Sequence, residues 1–211
     1  MKNFKLIKIF TTSLLALTLI TGCSKKTDTI KIATKPMTEQ FILGEMLSLL
    51  IKENTNLNVE ITKGIGGGTS NIHPAILKGD FDLYPEYTGT GWSFVLKESE
   101  IPDNDTLYKN LQDKYSTNYN LKWVGLYGQL TSSDVTVLQD DKNFFQSYYC
   151  GTVVREDTLS KHPELENILM KMQDIITDSE MAKLNYEVES NGRDEAEVAK
   201  EFLQNKGLLK E

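Results

Sequence analysis

The sequence is poor in the residues that build disulfides and metal centres. It contains 2 cysteines and 2 histidines among 211 residues. Cys23 lies at the end of the N-terminal apolar segment, so Cys150 has no second cysteine in the remaining chain for an intramolecular disulfide. His73 and His162 are far apart and lack a ligand-like spacing to cysteine. The composition therefore excludes a disulfide scaffold and gives no metal site, and it predicts Cys150 to be a small buried hydrophobe.

The motifs of common enzyme classes are also missing. The glycine run at 64–68 reads GIGGG and is followed by Thr69, which matches neither GxGxxG nor a loop ending in GK[ST]. Ser70 and His73 are three residues apart on one predicted helix, but no GxSxG elbow accompanies them. We therefore predict a protein that is not an enzyme and that needs no cofactor.

An excess of positive charge is absent as well. The formal net charge is −7, and the first 22 residues carry three lysines and no acids, so the remaining 189 residues carry about −10. An acidic body of this kind disfavours binding to nucleic acid and broad adhesion to anionic lipid.

The N-terminal segment has the pattern of an export signal. Residues 1–23 read MKNFKLIKIFTTSLLALTLITGC, with lysines first, then an apolar run, then small residues. That run is too short to span a bilayer as a mature helix. The ending ITGC resembles a bacterial lipobox, which predicts a signal peptide at 1–22, a lipid on Cys23, a tether at 23–28 and an extracytoplasmic, membrane-anchored protein. An ordinary signal peptide that happens to be cleaved near a cysteine is the alternative.

Periodicity along the rest of the chain alternates between strand-like and helix-like segments. Strands are predicted at 29–34, 57–62, 81–84, 121–127, 134–139 and 151–154. A first helix is predicted after Thr38 as its cap, and a second after Thr69 or Ser70 as its cap, through Leu77. Further helices are predicted at 104–116, 163–176, 178–189 and 194–205. Strands separated by helices indicate an α/β domain with a largely parallel sheet.

Two features have both a structural and a functional interpretation. The glycines at 64–68 form either a tight strand-to-helix turn or a place where backbone N–H groups approach a small anion at a helix N-terminus. Tyr84 and Tyr87, in GDFDLYPEYTGTGW, mark either the edge of a core or a recognition surface. The residues alone leave both choices open.

Four segments together resemble a known family. They read KIATKPMTEQFILGEMLSLLI, GIGGGTSNIHPAILKGDFDLYPEYTGTGW, VLQDDKNFFQSYYCGTVVREDTL and MAKLNYEVESNGRDEAEVAKEFLQNKGLL. In this order they resemble the substrate-binding proteins of ABC transporters for glycine betaine, choline and carnitine. The resemblance implies a type II periplasmic-binding-protein-like fold, a mostly parallel sheet flanked by helices, and delivery of a quaternary ammonium ligand to a membrane permease.

The resemblance also assigns binding residues. A quaternary ammonium has no N–H donor, so aromatic faces hold it, at about 0.5–2 kcal/mol per ring. Tyr87 matches the tyrosine of YTGT, Thr90 a nearby position that helps to set ligand preference, Gln40 the polar residue of TEQ, and Tyr148 a cage tyrosine of FFxxYY. The alternative for Tyr148 is packing at a strand edge.

Four further residues are ranked lower. Tyr84 and Tyr149 are neighbours that would replace Tyr87 and Tyr148 if the register were shifted. Thr69 and Ser70 follow the glycine run and lie at the predicted helix start, where a ligand carboxylate would be bound.

The chain departs from the family at one place. After Gly128 it continues almost at once into Asp134, where family members insert about 80 to 90 residues that form a second lobe. We therefore predict a single lobe at 29–211, built from 29–127 and 134–211 and joined at 128–133. With two of four cage rings missing, about 1–4 kcal/mol of binding free energy is lost, which predicts weak or undetectable binding. A non-transporting surface lipoprotein, or an isolated lobe without ligand binding, is the alternative.

Overall fold

The computed structural model describes residues 28–129 and 149–210. Five strands are found in this part of the chain: β1 (Thr29–Ala33), β2 (Asn58–Thr62), β3 (Leu83–Tyr87), β4 (Leu121–Gln129) and β5 (Tyr149–Arg155). The helices are α1 (Thr38–Asn54), α2 (Thr69–Lys78), α3 (Thr88–Thr90), α4 (Asn104–Tyr119), α5 (Glu156–Lys161), α6 (Glu164–Leu169), α7 (Asp178–Glu189) and α8 (Glu195–Asn205). A π-helical turn at Gly91–Val95 extends α3, and a 3₁₀ turn at Met170–Met172 follows α6.

The described strands form one mixed sheet in the order β2-β1-β3-β5-β4. β1 pairs in parallel with β2 and with β3, whereas β5 pairs antiparallel with both β3 and β4. Four strands therefore point in one direction and β5 alone is reversed. The predicted α/β class is confirmed, and the expected parallel arrangement holds for every strand except β5.

Helices cover both faces of the sheet, because the central strands are apolar on both sides. All five interior residues of β5 are buried, which is typical of strands sandwiched between two helical layers. One core lies against α1, α6, α7 and α8 and includes Leu47, Leu169 and Leu203. The other lies against α2 and α4 and includes Ile72 and Leu111.

β3 divides its side chains between these two cores. Leu83 belongs to the core beneath α1, and the half-buried Tyr87 packs against the same core. Tyr84 points to the other side and belongs to the core beneath α2 and α4. Because side chains alternate along a strand, the two tyrosines of YPEY are sent to opposite faces of the sheet.

The ends of all five described strands meet along one edge of the sheet, which we call the carboxyl edge. The carboxyl ends of β1, β2, β3 and β4 and the amino end of β5 lie there, since only β5 is reversed. Gln129 and Tyr149 are direct partners in the β4–β5 ladder. At Gly128 the backbone has φ of 151°, and a Cβ there would lie 1.9 Å from the carbonyl oxygen of Ile176, so this close approach requires glycine.

Several element boundaries differ from the sequence predictions. The residue that caps α1 is Met37, and Thr38 is the first helical residue and makes no side-chain cap bond. The helix predicted at 163–176 ends at Leu169 and continues only as the 3₁₀ turn. The strand predicted at 134–139, the signal peptide at 1–22 and most of the joint at 128–133 lie outside the described residues.

Candidate functional site

A buried ion pair lies at the carboxyl edge of the sheet. The ammonium of Lys35, just after β1, contacts the carboxylate of Glu86 near the end of β3. Glu86 is 0% exposed and Lys35 is 5% exposed. Such a pair is stable only when its remaining hydrogen-bonding positions are also satisfied.

Glu86 meets that requirement through two further donors. The Thr69 hydroxyl donates to Glu86 Oε2 at 2.7 Å, and the Tyr87 backbone N–H donates to Glu86 Oε1 at 2.7 Å. Thr69 is the first residue of α2, whose cap is Gly68. The threonine predicted as a helix cap or ligand contact therefore uses its hydroxyl to hold Glu86.

The ring of Tyr87 is held between a cation and a carboxylate. Lys35 Nζ lies 4.5 Å from the ring centroid, within cation–π range. The Tyr87 hydroxyl donates to Glu39 Oε1. Burial raises the pKa of Tyr87 well above its usual value, and the nearby Cys150 and Glu39 act in the same direction. Tyr87 is therefore a neutral ring whose one face already contacts a cation.

Glu39, in the first turn of α1, is the second carboxylate of the site. It is 8% exposed, and burial raises its pKa above the usual value of 4.5. The hydrogen bond from Tyr87 and the charge of Lys35 oppose that rise, whereas the charge of Asp178 at the start of α7 adds to it. Two acidic groups thus lie near one another on the α1 and α7 side of the edge.

Gln40 follows Glu39 and is fully buried. Its Oε1 lies 3.5 Å from the Lys35 backbone N–H, which donates to it. The Gln40 amide also lies beside the Tyr87 hydroxyl and acts against the rise in the pKa of that group. Gln40 therefore lies next to Tyr87, and its contact with a ligand stays a prediction.

An open pocket adjoins this network. It has a volume of about 500 Å³. Its lining residues are Gly128, Tyr149, Asp174, Ile176, Thr177, Asp178 and Ser179. Tyr149 is half-buried, and its backbone N–H donates to Thr88 Oγ1 at 3.2 Å. Tyr149 therefore reaches the same edge as Tyr87, from the strand beside it.

Tyr84 is not part of the site. It is 0% exposed and lies in the core beneath α2 and α4. Its hydroxyl is 3.4 Å from His73 Nδ1. Strand alternation turns this side chain to the opposite face of the sheet from Tyr87, and the lower-ranked prediction that Tyr84 contacts a ligand stays a prediction.

Two predicted residues lie near the site but outside its bonded network. Thr90 is half-buried in α3, and it is Thr88, not Thr90, that bonds Tyr149. Ser70 is exposed, and its hydroxyl donates to the Gly67 carbonyl at 2.7 Å. This bond favours the interpretation of the glycine run as a turn. Tyr148 and Cys23 lie outside the described residues.

Sequence reasoning missed Lys35, Glu39 and Glu86. A usable signal existed, because ligand sites of open α/β sheets lie at the carboxyl ends of the strands. Lys35 lies in the loop after β1, Glu39 lies in the first turn of the helix that follows, and Glu86 is the next-to-last residue of β3. Cys150 is buried and unpaired as predicted, and burial raises the pKa of its thiol.

The described ranges, 28–129 and 149–210, contain no group of three or more histidine, cysteine, aspartate or glutamate side chains arranged to hold a metal ion. Within the same ranges, no helix is both long enough and apolar enough to cross a bilayer. The site consists of the Tyr87 ring, the Lys35–Glu86 ion pair and the further acidic residues Glu39 and Asp178. The ring face and the carboxylates are groups that attract a cation.

The fold is that of solved substrate-binding proteins. A crystal structure of a glycine betaine/carnitine/choline ABC transporter superposes with a TM-score of 0.79 at 22% identity, covering 86% of this chain and 99% of the other. Apo YehZ from Escherichia coli superposes with a TM-score of 0.72 at 16% identity, covering 85% and 99%. These likenesses establish a type II periplasmic-binding-protein fold.

The family follows from the sequence. The OpuAC family model, described as the substrate binding domain of an ABC-type glycine betaine transport system, matches residues 28–131 and 127–205. The chain belongs to this family. The family comprises substrate-binding proteins, and the resemblance predicted from the four segments is confirmed.

The curated relatives are longer than this chain. The ergothioneine transport permease/ergothioneine binding protein EgtU of Helicobacter pylori (strain G27) is 31% identical over 265 positions, covering 84% of this chain and 47% of that protein. The carnitine transport binding protein OpuCC of Listeria monocytogenes is 34% identical over 99 residues, covering 47% of this chain and 30% of that protein. The chain thus spans less than half the length of these relatives.

Proposed function

We propose that this chain is a solute-binding component of an ABC importer for quaternary ammonium osmoprotectants such as glycine betaine, choline and carnitine. The observation that carries the proposal is the Tyr87 ring at the carboxyl edge of the sheet, with Glu39 and Gln40 beside it. The chemistry of this site suits a quaternary ammonium group, which has no N–H to donate and is attracted by ring faces and carboxylates. Tyr149 and Thr90 are the further proposed ligand contacts among the described residues.

The proposal includes weak binding, because we infer that one side of the enclosure is missing. The match to the Helicobacter pylori relative extends over 265 positions, whereas 84% of this chain is about 177 residues, so about 88 positions have no residue here. The two family matches overlap at residues 127–131, which in turn overlap the predicted joint at 128–133. Both observations support the loss of an inserted lobe between β4 and β5. A ligand held on one side only remains largely hydrated, which limits affinity.

A lipid on Cys23 and an extracytoplasmic location belong to the same proposal. They are supported by the lysine-rich start, the short apolar run and the ITGC ending. The expected partner is the permease of an ABC transporter. Labelling with a radioactive fatty acid is expected to mark the chain and to leave the Cys23→Ser variant unmarked, and equal labelling of both would exclude this anchor.

Titration of the full chain with glycine betaine, choline and carnitine tests the binding proposal. We expect dissociation constants in the range of about 1–100 mM, with the ring signals of Tyr87 shifting in NMR spectra. Tyr87→Leu, which removes the ring and keeps an apolar side chain, is expected to abolish the response. Tyr186→Leu is the matched control, since Tyr186 is 59% exposed on α7. A micromolar dissociation constant for the wild type would contradict the proposal that this chain binds weakly.

The alternative is a non-transporting surface lipoprotein or an isolated lobe that binds no ligand. The contact of Lys35 with the Tyr87 ring favours it, because an internal cation already uses one face. No response to any of the three compounds at about 100 mM would support this alternative. Uptake in a strain without its own importers separates the two further: this chain is expected to transport poorly beside a two-lobed relative.

A further inference from the structure

The charges of the site do not cancel. Lys35 and Glu86 form a buried pair, and the Thr69 hydroxyl and the Tyr87 backbone N–H satisfy Glu86 further. This pair is neutral as a unit. The charge that remains beside the ring is that of Glu39, with Asp178 close enough to influence it.

Lys35 creates a problem for any ligand cation at Tyr87. Its ammonium lies 4.5 Å from the ring centroid, so a ligand ammonium on the opposite face would lie about 9 Å from it. Two like charges at that distance in a partly buried site repel enough to weaken binding roughly tenfold. Glu86 offsets part of this repulsion, but it lies on the Lys35 side. A second counter-charge is needed on the side that a ligand would approach.

Glu39 is in the position to supply it. Its carboxylate accepts the hydrogen bond of the Tyr87 hydroxyl, so it is fixed at the edge of the ring. It is 8% exposed, which means that little water screens its charge. The same bond fixes the orientation of the ring. One residue therefore holds the aromatic ring in place and puts a negative charge at its hydroxyl edge, within a few ångströms of a cation on the ring face.

We propose that Glu39 is a positioning and specificity residue that balances the charge of a bound ammonium and favours ligands with a net positive charge. The proposal rests on the function proposed above and deepens it. It assigns to Glu39 a preference between a net cation, such as choline, and a zwitterion, such as glycine betaine, whose own carboxylate Glu39 repels.

The groups that face Glu39 define how this preference depends on pH. They are Lys35 before α1, Tyr87 on β3, Cys150 on β5 and Asp178 on α7. Burial raises the pKa of Glu39 and of Tyr87, so Glu39 gains a proton at a higher pH than an ordinary glutamate. Affinity for a net cation is therefore expected to fall as the pH falls through that raised pKa.

The experiment compares three probes on the full chain by NMR titration: tetramethylammonium, choline and glycine betaine. Glu39→Gln keeps an oxygen acceptor for the Tyr87 hydroxyl and removes the charge. We expect it to weaken tetramethylammonium and choline about tenfold, at the low end for an opposite charge a few ångströms away, and to weaken glycine betaine less. The pH dependence of choline binding is expected to disappear in this variant.

Glu53→Gln is the matched control, because Glu53 is an exposed residue at the end of the same helix. It is expected to leave all three affinities unchanged. Equal weakening of the three probes in Glu39→Gln would reduce Glu39 to a structural role, and unchanged affinities would overturn the proposal while leaving the proposed function intact. If the wild type binds none of the probes at about 100 mM, the proposed function is contradicted, and the inference about Glu39 is contradicted as well.

Discussion

Tyr84 and Tyr87 are three residues apart on one strand, yet they lie in opposite environments. Tyr87 touches a charged network in which Lys35, Glu86 and Glu39 are partners. Tyr84 lies in a cluster of aromatic rings on the other face, where only its hydroxyl comes close to the Glu86 carboxylate. Among the described side chains of that cluster, His73 packs edge-on against Tyr115 and Tyr119 at centroid distances of 5.8 and 4.8 Å.

The two regions stabilise buried polar atoms by different means. Beside Tyr87, both oxygens of Glu86 accept hydrogen bonds, and one also contacts an ammonium. In the aromatic cluster, His73 Nε2 and Trp123 Nε1 are buried with no hydrogen-bond partner, and beside Tyr87 the same holds for Gln40 Nε2. Buried polar atoms without partners weaken a fold. The network at the sheet edge is therefore built around charge, and the cluster around ring packing.

The largest effect is expected from breaking the buried ion pair. Lys35→Met leaves the Glu86 carboxylate buried without its cation, so unfolding free energy is expected to fall by about 3–5 kcal/mol. The double variant with Glu86→Gln should recover most of that loss, because it removes the uncompensated charge. Denaturant unfolding measures both. Lys97→Met is the control, since Lys97 lies over the exposed Phe94 ring at 4.3 Å and should change stability by about 0.5 kcal/mol or less.

A smaller effect is expected from acid, and it should come from the aromatic cluster. Burial lowers the pKa of His73 from 6.5 to about 4. The unfolded chain therefore binds a proton at a higher pH than the folded one does. The stability that the neutral histidine gives is complete above pH 6.5 and is lost as the pH falls towards 4, by up to about 3 kcal/mol.

Thermal unfolding across this pH range tests the assignment. His73→Gln is expected to lose this part of the acid sensitivity, whereas His162→Gln should keep it. If both variants follow the wild-type curve, His73 is not the group responsible.

The smallest effect is expected from the two hydroxyls at the start of α2. Thr69→Val removes the donor to Glu86 and is expected to cost about 1.5–3 kcal/mol, the range for a hydrogen bond to a charged group. Ser70→Ala should cost about 0.5 kcal/mol or less, because Ser70 is exposed. Equal costs measured by denaturant unfolding would mean that Thr69 does not support the ion pair.

The sequence allowed the α/β class and most of the elements to be predicted, because apolar residues are frequent in α1 and the strands and apolar periodicity is strong in α8. It also indicated Gln40 and Tyr87 through the family motifs. It could not separate Tyr84 from Tyr87, since which face a strand turns to a site depends on the sheet register. Nor did it identify Lys35 and Glu86, which are 51 residues apart and meet only because β1 and β3 are neighbours.

The partnership of Gln129 and Tyr149 has a consequence for engineering. Two residues paired in neighbouring strands are held about 5 Å apart, and the free energy of closing a loop between them rises only slowly with its length. This point of the sheet should therefore accept a grafted reporter domain whose own termini lie close together. Because the graft would sit at the edge that carries Tyr87, its fluorescence could report what happens at the ring.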